Sequence, residues 1–292
     1  MEYRRLGKTN QNVSVIGVGT EYLKALPKEK ISQIISLALD AGINYFDLVW
    51  NMPNIVEGFA TALKGHREKI ALALHLGSCI KSGKYYRSRD PKECELQLKS
   101  VISTLGQNFS IVINIHYVAN MKIWQEVNKK GIVALAGRLK SEGLAEIVSV
   151  STHDPEIVKL AAQTNSVDSI MYQVNAVNHV YEVAKEALRF CQQRNIGVVA
   201  MKPFAGGELL KVGKNVKIAV YKTGWKPMSL IVPKCTSPIR LLSYVLDQPS
   251  VCSAVTGVSS AQELATNLTY LTASKEEKEY RMLLNELHRY ET

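Results

Sequence analysis

Three apolar runs of this sequence each end on a residue that can carry out acid–base chemistry. The runs are INYFD, IALALH and IVINIH, and they end at Asp47, His75 and His116. Runs of this composition are typical of buried β-strands. The end of a rigid strand fixes a side chain in place, and loops can then build a pocket around it. We therefore take these three residues as candidate catalytic residues.

Strand-like runs of this kind recur along the whole chain, each followed by a helix-like run. They cover residues 13–20, 43–47, 70–77, 110–118, 146–153, 169–175, 197–203 and 252–258. Because the runs are almost continuously apolar, they indicate a parallel sheet that is covered on both faces. Eight strand–helix units predict an α/β fold, a (β/α)8 TIM barrel, in a single domain spanning residues 1–292. The chemistry of such a barrel lies at the carboxyl ends of its strands.

The segments outside these units complete the predicted architecture. EYRRLGKTNQNVS predicts an N-terminal β-hairpin, and residues 274–290 predict an extra C-terminal helix. One long helix is expected after the fourth strand, ending in GRLKSEG at 137–143. Residues 208–236 lack a helical pattern, so we expect an irregular connection or a flexible flap. A doubly wound sheet is disfavoured, because Gly17 and Gly19 lack the third glycine of a G-x-G-x-x-G turn.

Composition narrows the class of protein. The net charge is +10, but the basic residues are spread along the chain, so nucleic-acid binding is not expected. No apolar stretch is long enough to span a membrane, and MEYRRLGKTN lacks the apolar core of a signal peptide. The five cysteines show no paired spacing, which favours a reducing cytoplasm over a disulfide scaffold. We expect a cytoplasmic protein with a small-molecule substrate, and leave its oligomeric state open.

Several motifs resemble, in order, those of the aldo-keto reductase superfamily. They are YRRLGKTNQNVSVIGVGT, DAGINYFD, GRLKSEGLAEIVSVSTHD, YQVN, FCQQRNIGVVAMKPFAGGELL and GVSSAQELATNL. The resemblance implies an oxidoreductase that binds NAD or NADP in extended form along the barrel rim. It also implies reduction of aldehydes or ketones by an aspartate, a tyrosine, a lysine and a histidine, with the tyrosine as the general acid.

This chain resembles a divergent member, because two of the four catalytic residues differ. Asp47 and His116 match the aspartate and the histidine, whereas Met52 stands where the tyrosine is expected and His75 where the lysine is expected. A thioether has no proton to donate, although general acid catalysis commonly contributes about 100- to 10,000-fold in rate. We therefore expect an Asp47–His75 pair to compensate, or a loop tyrosine: Tyr85 or Tyr86 after the third strand, or Tyr117 after His116.

The resemblance also implies residues that bind the cofactor and residues that form the substrate pocket. The expected cofactor-binding residues are Thr20, Ser151, Thr152, Gln173, Met201, Lys202, Gly206, Gly257, Ser259 and Asn267. The expected substrate pocket consists of Trp50, Met52, Tyr86 and Tyr117. NAD is slightly preferred over NADP, because Glu263 lies where a basic residue would grip the 2′-phosphate. No metal ligand set is assigned.

Other functions remain open from the sequence. The chain could be a degenerate cofactor-binding or regulatory protein, since a fold can outlast its activity. It could also be a lyase or isomerase that uses Asp47, His75 and His116 for acid–base chemistry. One carboxylate and two histidines further resemble the ligands of non-haem iron sites, although ligand type alone is weak evidence. A basic loop after the third strand could attract an anionic substrate, although such a run is more often simply a solvated loop. Its charged residues are Lys81, Lys84, Arg87 and Arg89.

Overall fold

The computed structural model describes residues 1–66, 70–106, 109–178, 181–221 and 225–287. Its strands, in chain order, are β1 (Tyr3–Arg5), β2 (Asn12–Ser14), β3 (Ile16–Gly19), β4 (Tyr45–Leu48), β5 (Ala71–Leu76), β6 (Ser78–Lys81), β7 (Lys84–Arg87), β8 (Ser110–Ile115), β9 (Ile147–Thr152), β10 (Ser169–Gln173), β11 (Gly197–Met201), β12 (Asn215–Tyr221), β13 (Trp225–Ile231) and β14 (Val251–Gly257). Its helices are α1 (Lys28–Asp40), α2 (Pro53–Ala62), α3 (Pro91–Leu105), α4 (Met121–Lys129), α5 (Ile132–Ser141), α6 (Pro155–Gln163), α7 (Glu182–Gln193), α8 (Pro238–Leu246), α9 (Ala261–Leu268), α10 (Lys275–Lys278) and α11 (Arg281–Leu287). A 3-10 turn covers Ala205–Leu210.

Parallel strands close into the predicted (β/α)8 barrel. Going round the barrel, β3, β4, β5, β8, β9, β10, β11 and β14 pair in this order, and β14 pairs with β3 to complete the ring. The predicted N-terminal hairpin is also confirmed, with β1 antiparallel to β2. No helix among the described residues is long and apolar enough to cross a membrane.

The interior of the barrel is apolar at one end and polar at the other. Because side chains alternate along a strand, Tyr45 and Asp47 on β4 both point inward. Tyr45 belongs to the apolar cluster inside the barrel, together with Ala73 of β5 and Val112 of β8. The next inward-facing residues of these three strands, towards their carboxyl ends, are Asp47, His75 and Asn114. Because every second residue of a strand faces inward, these polar residues lie together in one layer, next to the apolar layer formed by Tyr45, Ala73 and Val112.

Three predicted elements differ from the structure. The long helix after the fourth barrel strand is two helices, because Gly131 between α4 and α5 adopts a left-handed conformation with φ +79°. The C-terminal helix is broken between α10 and α11, and its predicted residues 288–290 lie outside the described residues.

The third difference is the stretch expected to be irregular or a flap. It contains the regular antiparallel hairpin β12–β13. Val216 and Ile218 are buried on β12, and Leu230 is buried on β13. The sequence does not reveal this alternation of buried residues, because glycines and prolines interrupt the pattern on either side.

The amino-terminal hairpin lies against the bottom of the barrel through two glycines. A Cβ atom on Gly197 would lie 2.6 Å from the backbone nitrogen of Gly7 and 2.7 Å from the carbonyl carbon of Leu6. Backbone atoms cannot move aside as a flexible side chain would. The amide of Lys8 also donates to the carbonyl of Asn195 at 2.8 Å. The hairpin thus depends on glycine at the start of β11.

This close approach gives a test of the fold. We expect Gly197→Ala to lower the free energy of unfolding by roughly 1–3 kcal/mol, because overpacking forces the hairpin away from the barrel. The matched control is Gly137→Ala in α5, where nothing lies within 4 Å of the added Cβ. Alanine should there be neutral or stabilising by up to about 1 kcal/mol. Urea unfolding curves measure the change in the free energy of unfolding for each variant. Equal changes in the two variants would contradict the close packing of the hairpin against Gly197.

Candidate active site

The three strand-end residues singled out from the sequence form one hydrogen-bonded chain. The Nε2 atom of His75 lies 2.7 Å from the Oδ1 atom of Asp47, and its Nδ1 atom lies 2.8 Å from the Nδ1 atom of His116. All three side chains are buried. Burial of these polar groups is tolerable because each has a hydrogen-bond partner. His75 thus occupies the partner position of Asp47 that the family resemblance assigns to a lysine.

A tyrosine from the hairpin β6–β7 extends this chain to the cavity. The hydroxyl of Tyr85 lies 2.7 Å from the Nε2 atom of His116. It also accepts a hydrogen bond from the Nε atom of Arg87 at 3.1 Å. The ring of Trp50 packs edge-on against that of Tyr85, with centroids 4.4 Å apart. We call the series Asp47–His75–His116–Tyr85 the relay.

The hairpin β6–β7 is held in place at its turn and by a contact with α3. Ser82 and Gly83 at its turn adopt positive φ angles of 50° and 71°, which permits a tight two-residue connection. Gln97 of α3 holds the backbone of Ile80 through its side-chain amide. Alternation then directs Tyr85 and Arg87 to the barrel mouth.

Tyr86 faces the other way, so its predicted place in the substrate pocket is corrected. Its hydroxyl donates to Glu93 on α3 at 2.5 Å. This bond raises the pKa of Tyr86 to about 12. Met52, the second correction, is the residue before α2 and packs against the outer core. Trp50 and Tyr117 do line the cavity, as expected.

Two of the histidines that line the cavity, His116 and His153, are held in the neutral form. Burial is the largest cause that lowers the pKa of His116 well below its usual value, and the nearby His75, Arg89 and Arg87 add to it. Burial likewise lowers the pKa of His153 to about 3, with Lys202 and Arg87 contributing. At neutral pH both rings therefore lack a charge.

When both rings are neutral and Asp47 is ionised, these contacts allow one direction of the protons in the relay. Since Arg87 donates to the oxygen of Tyr85, the tyrosine proton is free to point at the Nε2 atom of His116. His116 then carries its proton on Nδ1 and donates it to His75. His75 in turn donates from Nε2 to the carboxylate of Asp47. Each hydrogen bond of the relay then contains one proton, and both nitrogens of each imidazole ring are hydrogen-bonded.

The relay opens into a cavity of about 370 Å³ that continues as a groove. The described residues contain no group of three or more His, Cys, Asp and Glu side chains arranged to hold a metal. Tyr117 and Lys202, at the carboxyl ends of β8 and β11, adopt positive φ angles of 47° and 55°. Left-handed backbone costs a residue with a side chain of order 1–3 kcal/mol and often marks a functional rim.

The expected cofactor-binding residues divide into two groups. Those that line the cavity and groove are Ser151, Met201, Lys202, Gly206, Gly257 and Ser259. Those that do not are Thr20, Thr152, Gln173 and Asn267. Two of the latter hold loops: the Thr20 hydroxyl accepts from the amide of Trp50 at 3.2 Å, and the Thr152 hydroxyl donates to the carbonyl of Val118 at 2.7 Å. Gln173 and Asn267 are buried.

Several side chains that line the cavity were not among the residues expected to form the substrate pocket. Tyr85 was one of three candidate tyrosine proton donors, and Arg87 was one of four loop charges. The alternation in KYYR shows that Tyr85 and Arg87 share a face, but it cannot show which face turns inward. His153 ends the strand-like run 146–153 and was expected at the rim without an assigned role, whereas Tyr22 carried no distinguishing pattern; both line the cavity.

Comparison with known proteins points to one family. The model of the aldo/keto reductase family matches residues 15–227. An uncharacterized oxidoreductase of Bacillus subtilis (strain 168), YqkF, is 24% identical over 290 residues, covering 94% of this chain and 92% of that protein. An uncharacterized oxidoreductase of Schizosaccharomyces pombe, C215.11c, is 29% identical over 157 residues, covering 52% of this chain and 47% of that protein.

The fold agrees with this match. The holo form of the aldo-keto reductase AKR11C1 from Bacillus halodurans superposes with a TM-score of 0.74. The two chains are 21% identical, and the alignment covers 98% of this chain and 96% of that one. At this identity the likeness concerns the fold.

The lowered pKa of the partly buried His153 predicts a pH dependence of stability. Its pKa is depressed in the folded state, so between about pH 6.5 and pH 3 the unfolded chain binds the proton and the folded chain does not. Stability should therefore fall as pH falls through this window, by about 1–3 kcal/mol from this residue between pH 7 and pH 4. Urea unfolding at several pH values should show a shallower fall in His153→Phe. His66→Gln, at an exposed histidine, should follow the wild type. An unchanged slope in His153→Phe would show that the ring is not held neutral.

Proposed function

We propose that this chain, which belongs to the aldo/keto reductase family, is a nicotinamide-dependent oxidoreductase that interconverts a small carbonyl compound and its alcohol. The observation that carries the proposal is the hydroxyl of Tyr85. It lies at the cavity end of a buried chain of proton donors and acceptors, 2.7 Å from His116. A continuous relay of this kind argues against an eroded site.

Tyr85 takes the role of general acid that Met52 cannot fill. Arg87 stands beside it as the cation, donating from Nε to the phenol oxygen at 3.1 Å. A cation at this distance stabilises the negative charge that develops on the phenol oxygen during proton transfer, as the lysine implied by the family resemblance would. Tyr85 comes from a hairpin after β5, whereas the family tyrosine comes from the loop after β4. The acid is therefore supplied by a different loop at the same rim.

The relay can deliver a proton by reversing its direction. When it takes up one proton at His75, this ring donates from Nδ1 to His116 and from Nε2 to Asp47. His116 then donates from Nε2 to the oxygen of Tyr85, and the tyrosine proton is free to face the substrate. Asp47 stabilises the imidazolium that forms, as a carboxylate does beside a catalytic histidine.

Proton transfer to the substrate returns the relay to its resting direction. Tyr85 gives its proton to the carbonyl oxygen, and the phenolate is held by Arg87 and the Nε2–H of His116. His116 then returns a proton to Tyr85 and receives one from the Nδ1 atom of His75. One proton is consumed for each carbonyl reduced. When bound, a reduced nicotinamide supplies the hydride to the carbonyl carbon, which balances the two-electron reduction to the alcohol.

The groove beside the relay fits a dinucleotide. Met201 offers an apolar wall for the nicotinamide, and Ser151 a hydroxyl for its amide. Gly206 and Gly207 have φ angles of 71° and 89°, and no atom lies within 4 Å of an added Cβ on Gly207. A phosphate can therefore approach this backbone closely. The groove continues to Ser259 and Glu263 at the start of α9.

NAD is the preferred cofactor because of Glu263. Its carboxylate accepts a hydrogen bond from the amide of Ser259 at 2.7 Å, which holds it at the end of the groove. A 2′-phosphate at this end would meet a negative charge.

The role of Tyr85 is tested by a pair of neighbouring substitutions. We expect Tyr85→Phe to lower kcat by about 100- to 10,000-fold, because phenylalanine cannot donate the proton. Tyr86→Phe should stay within a few-fold of the wild type, since its hydroxyl bonds to Glu93 outside the cavity. Steady-state oxidation of NADH with a panel of aldehydes and ketones gives both values. Equal losses in the two variants would exclude Tyr85 as the acid.

Cofactor preference is tested at Glu263. Glu263→Gln keeps an oxygen that can accept from Ser259 and removes the charge. We expect the affinity for NADPH to rise roughly 3- to 10-fold while that for NADH changes little, because only the 2′-phosphate meets the carboxylate. Quenching of tryptophan fluorescence by each dinucleotide measures the affinities. Exposed Glu276→Gln on α10 is the control and should alter neither. Unchanged NADPH binding in Glu263→Gln would show that this carboxylate does not face the ribose.

A further inference from the structure

We infer that the substrate of this site is a 2-oxo acid, or the matching 2-hydroxy acid in the reverse direction, and that Arg87 binds its carboxylate. The inference rests on the proposed function, because it specifies the compound whose carbonyl Tyr85 would protonate. It is carried by the position of Arg87, which lines the cavity directly beside the proton donor.

The contacts of Arg87 leave the outer edge of its guanidinium for a ligand. Its Nε atom donates to the hydroxyl of Tyr85, and its Cζ atom lies 4.0 Å above the ring of Tyr117. Within the described parts of the chain it forms no salt bridge. The contact with the Tyr117 ring and the bond from Nε restrain the guanidinium, and its two terminal nitrogens form a fork that matches a carboxylate.

The remaining charges of the cavity already face opposite charges or donors. Lys202 lies 3.8 Å from Glu21, and Asp47 is bonded to His75. Glu263 accepts from the backbone of Ser259, at the far end of the groove. Since His116 and His153 are neutral, Arg87 supplies the positive charge at the substrate end.

The geometry selects a carboxylate next to the carbonyl rather than a distant one. The acid hydroxyl of Tyr85 and the guanidinium of Arg87 are joined by a hydrogen bond, so the groups they recognise must also be neighbours. In a 2-oxo acid the ketone oxygen and a carboxylate oxygen sit on adjacent carbons. The ketone oxygen can meet Tyr85 while the carboxylate meets the terminal nitrogens of Arg87. Trp50 and Tyr117 supply apolar walls for the side chain of the acid.

The kinetic test compares a 2-oxo acid with its uncharged ester. For the wild type we expect kcat/KM for phenylglyoxylate to exceed that for methyl phenylglyoxylate by about 10- to 100-fold, which is the worth of a charge-assisted hydrogen bond. Arg87→Met should abolish this ratio, and Arg87→Lys should retain part of it. Lys84→Met removes a charge from the same hairpin, outside the cavity, and should keep the ratio. A wild-type enzyme that prefers the ester, or an Arg87→Met variant that keeps the ratio, overturns the inference.

A binding test separates this inference from the proposed redox function. Oxamate has an amide in place of the reducible ketone, so its binding needs no turnover. Calorimetry should show oxamate binding that weakens about 10- to 100-fold in Arg87→Met and is unchanged in Lys84→Met. Arg87-dependent binding without reduction of any carbonyl would support the carboxylate site and exclude the redox function. Reduction of neutral carbonyls with no oxamate binding would support the redox function and overturn the carboxylate site. Inorganic phosphate that displaces oxamate at equal concentration would also overturn it.

Discussion

The contact between the Nδ1 atoms of His75 and His116, 2.8 Å apart, constrains the whole site. Two nitrogens at this distance must share one proton, so the tautomer of one ring dictates that of the other. The roles of the two Nε2 atoms are then determined as well: that of His75 faces Asp47, and that of His116 faces Tyr85. Because the rings are buried, an unsatisfied nitrogen would be costly, and the relay can switch direction only as a unit. The amide of His116 donates to the carbonyl of Leu76 at 3.0 Å, which fixes the backbone that carries this ring beside β5.

The proposed relay gives a chemically coherent site to a chain that has Met52 and His75 where the family resemblance implies a tyrosine and a lysine. A lysine would connect the aspartate directly to a tyrosine. His75 connects Asp47 to His116 instead, and His116 connects to a tyrosine from another loop. The cation that a lysine would supply comes from Arg87, two residues beyond that tyrosine. The proposed proton donor and its cation thus lie on one face of one hairpin, and the same arrangement leads to the inferred carboxylate site.

The sequence predicts the barrel and the strand-end residues well, because both follow from short-range patterns. Continuous apolar runs ending in Asp47, His75 and His116 mark strands and their carboxyl ends, and the motif order indicates the family. The choice between Tyr85 and Tyr86 depends on the register of β6–β7 and on Gln97 and Glu93 of α3, which are tertiary contacts. Thr20 and Thr152 fit family positions, yet their hydroxyls bond to backbone groups of loops. Such roles are set by partners distant in sequence.

The tautomers of the two histidines test the relay most directly. Nitrogen-15 chemical shifts of His75 and His116 at neutral pH report which ring nitrogen carries the proton. The relay predicts a proton on Nδ1 of His116 and on Nε2 of His75, with a strongly downfield proton shared between the two Nδ1 atoms. Tyr85→Phe should disturb the signals of His116 and leave the Nε2 proton of His75 in place. Two rings that both carry their only proton on Nε2 would contradict the relay, because their Nδ1 atoms could not hydrogen-bond.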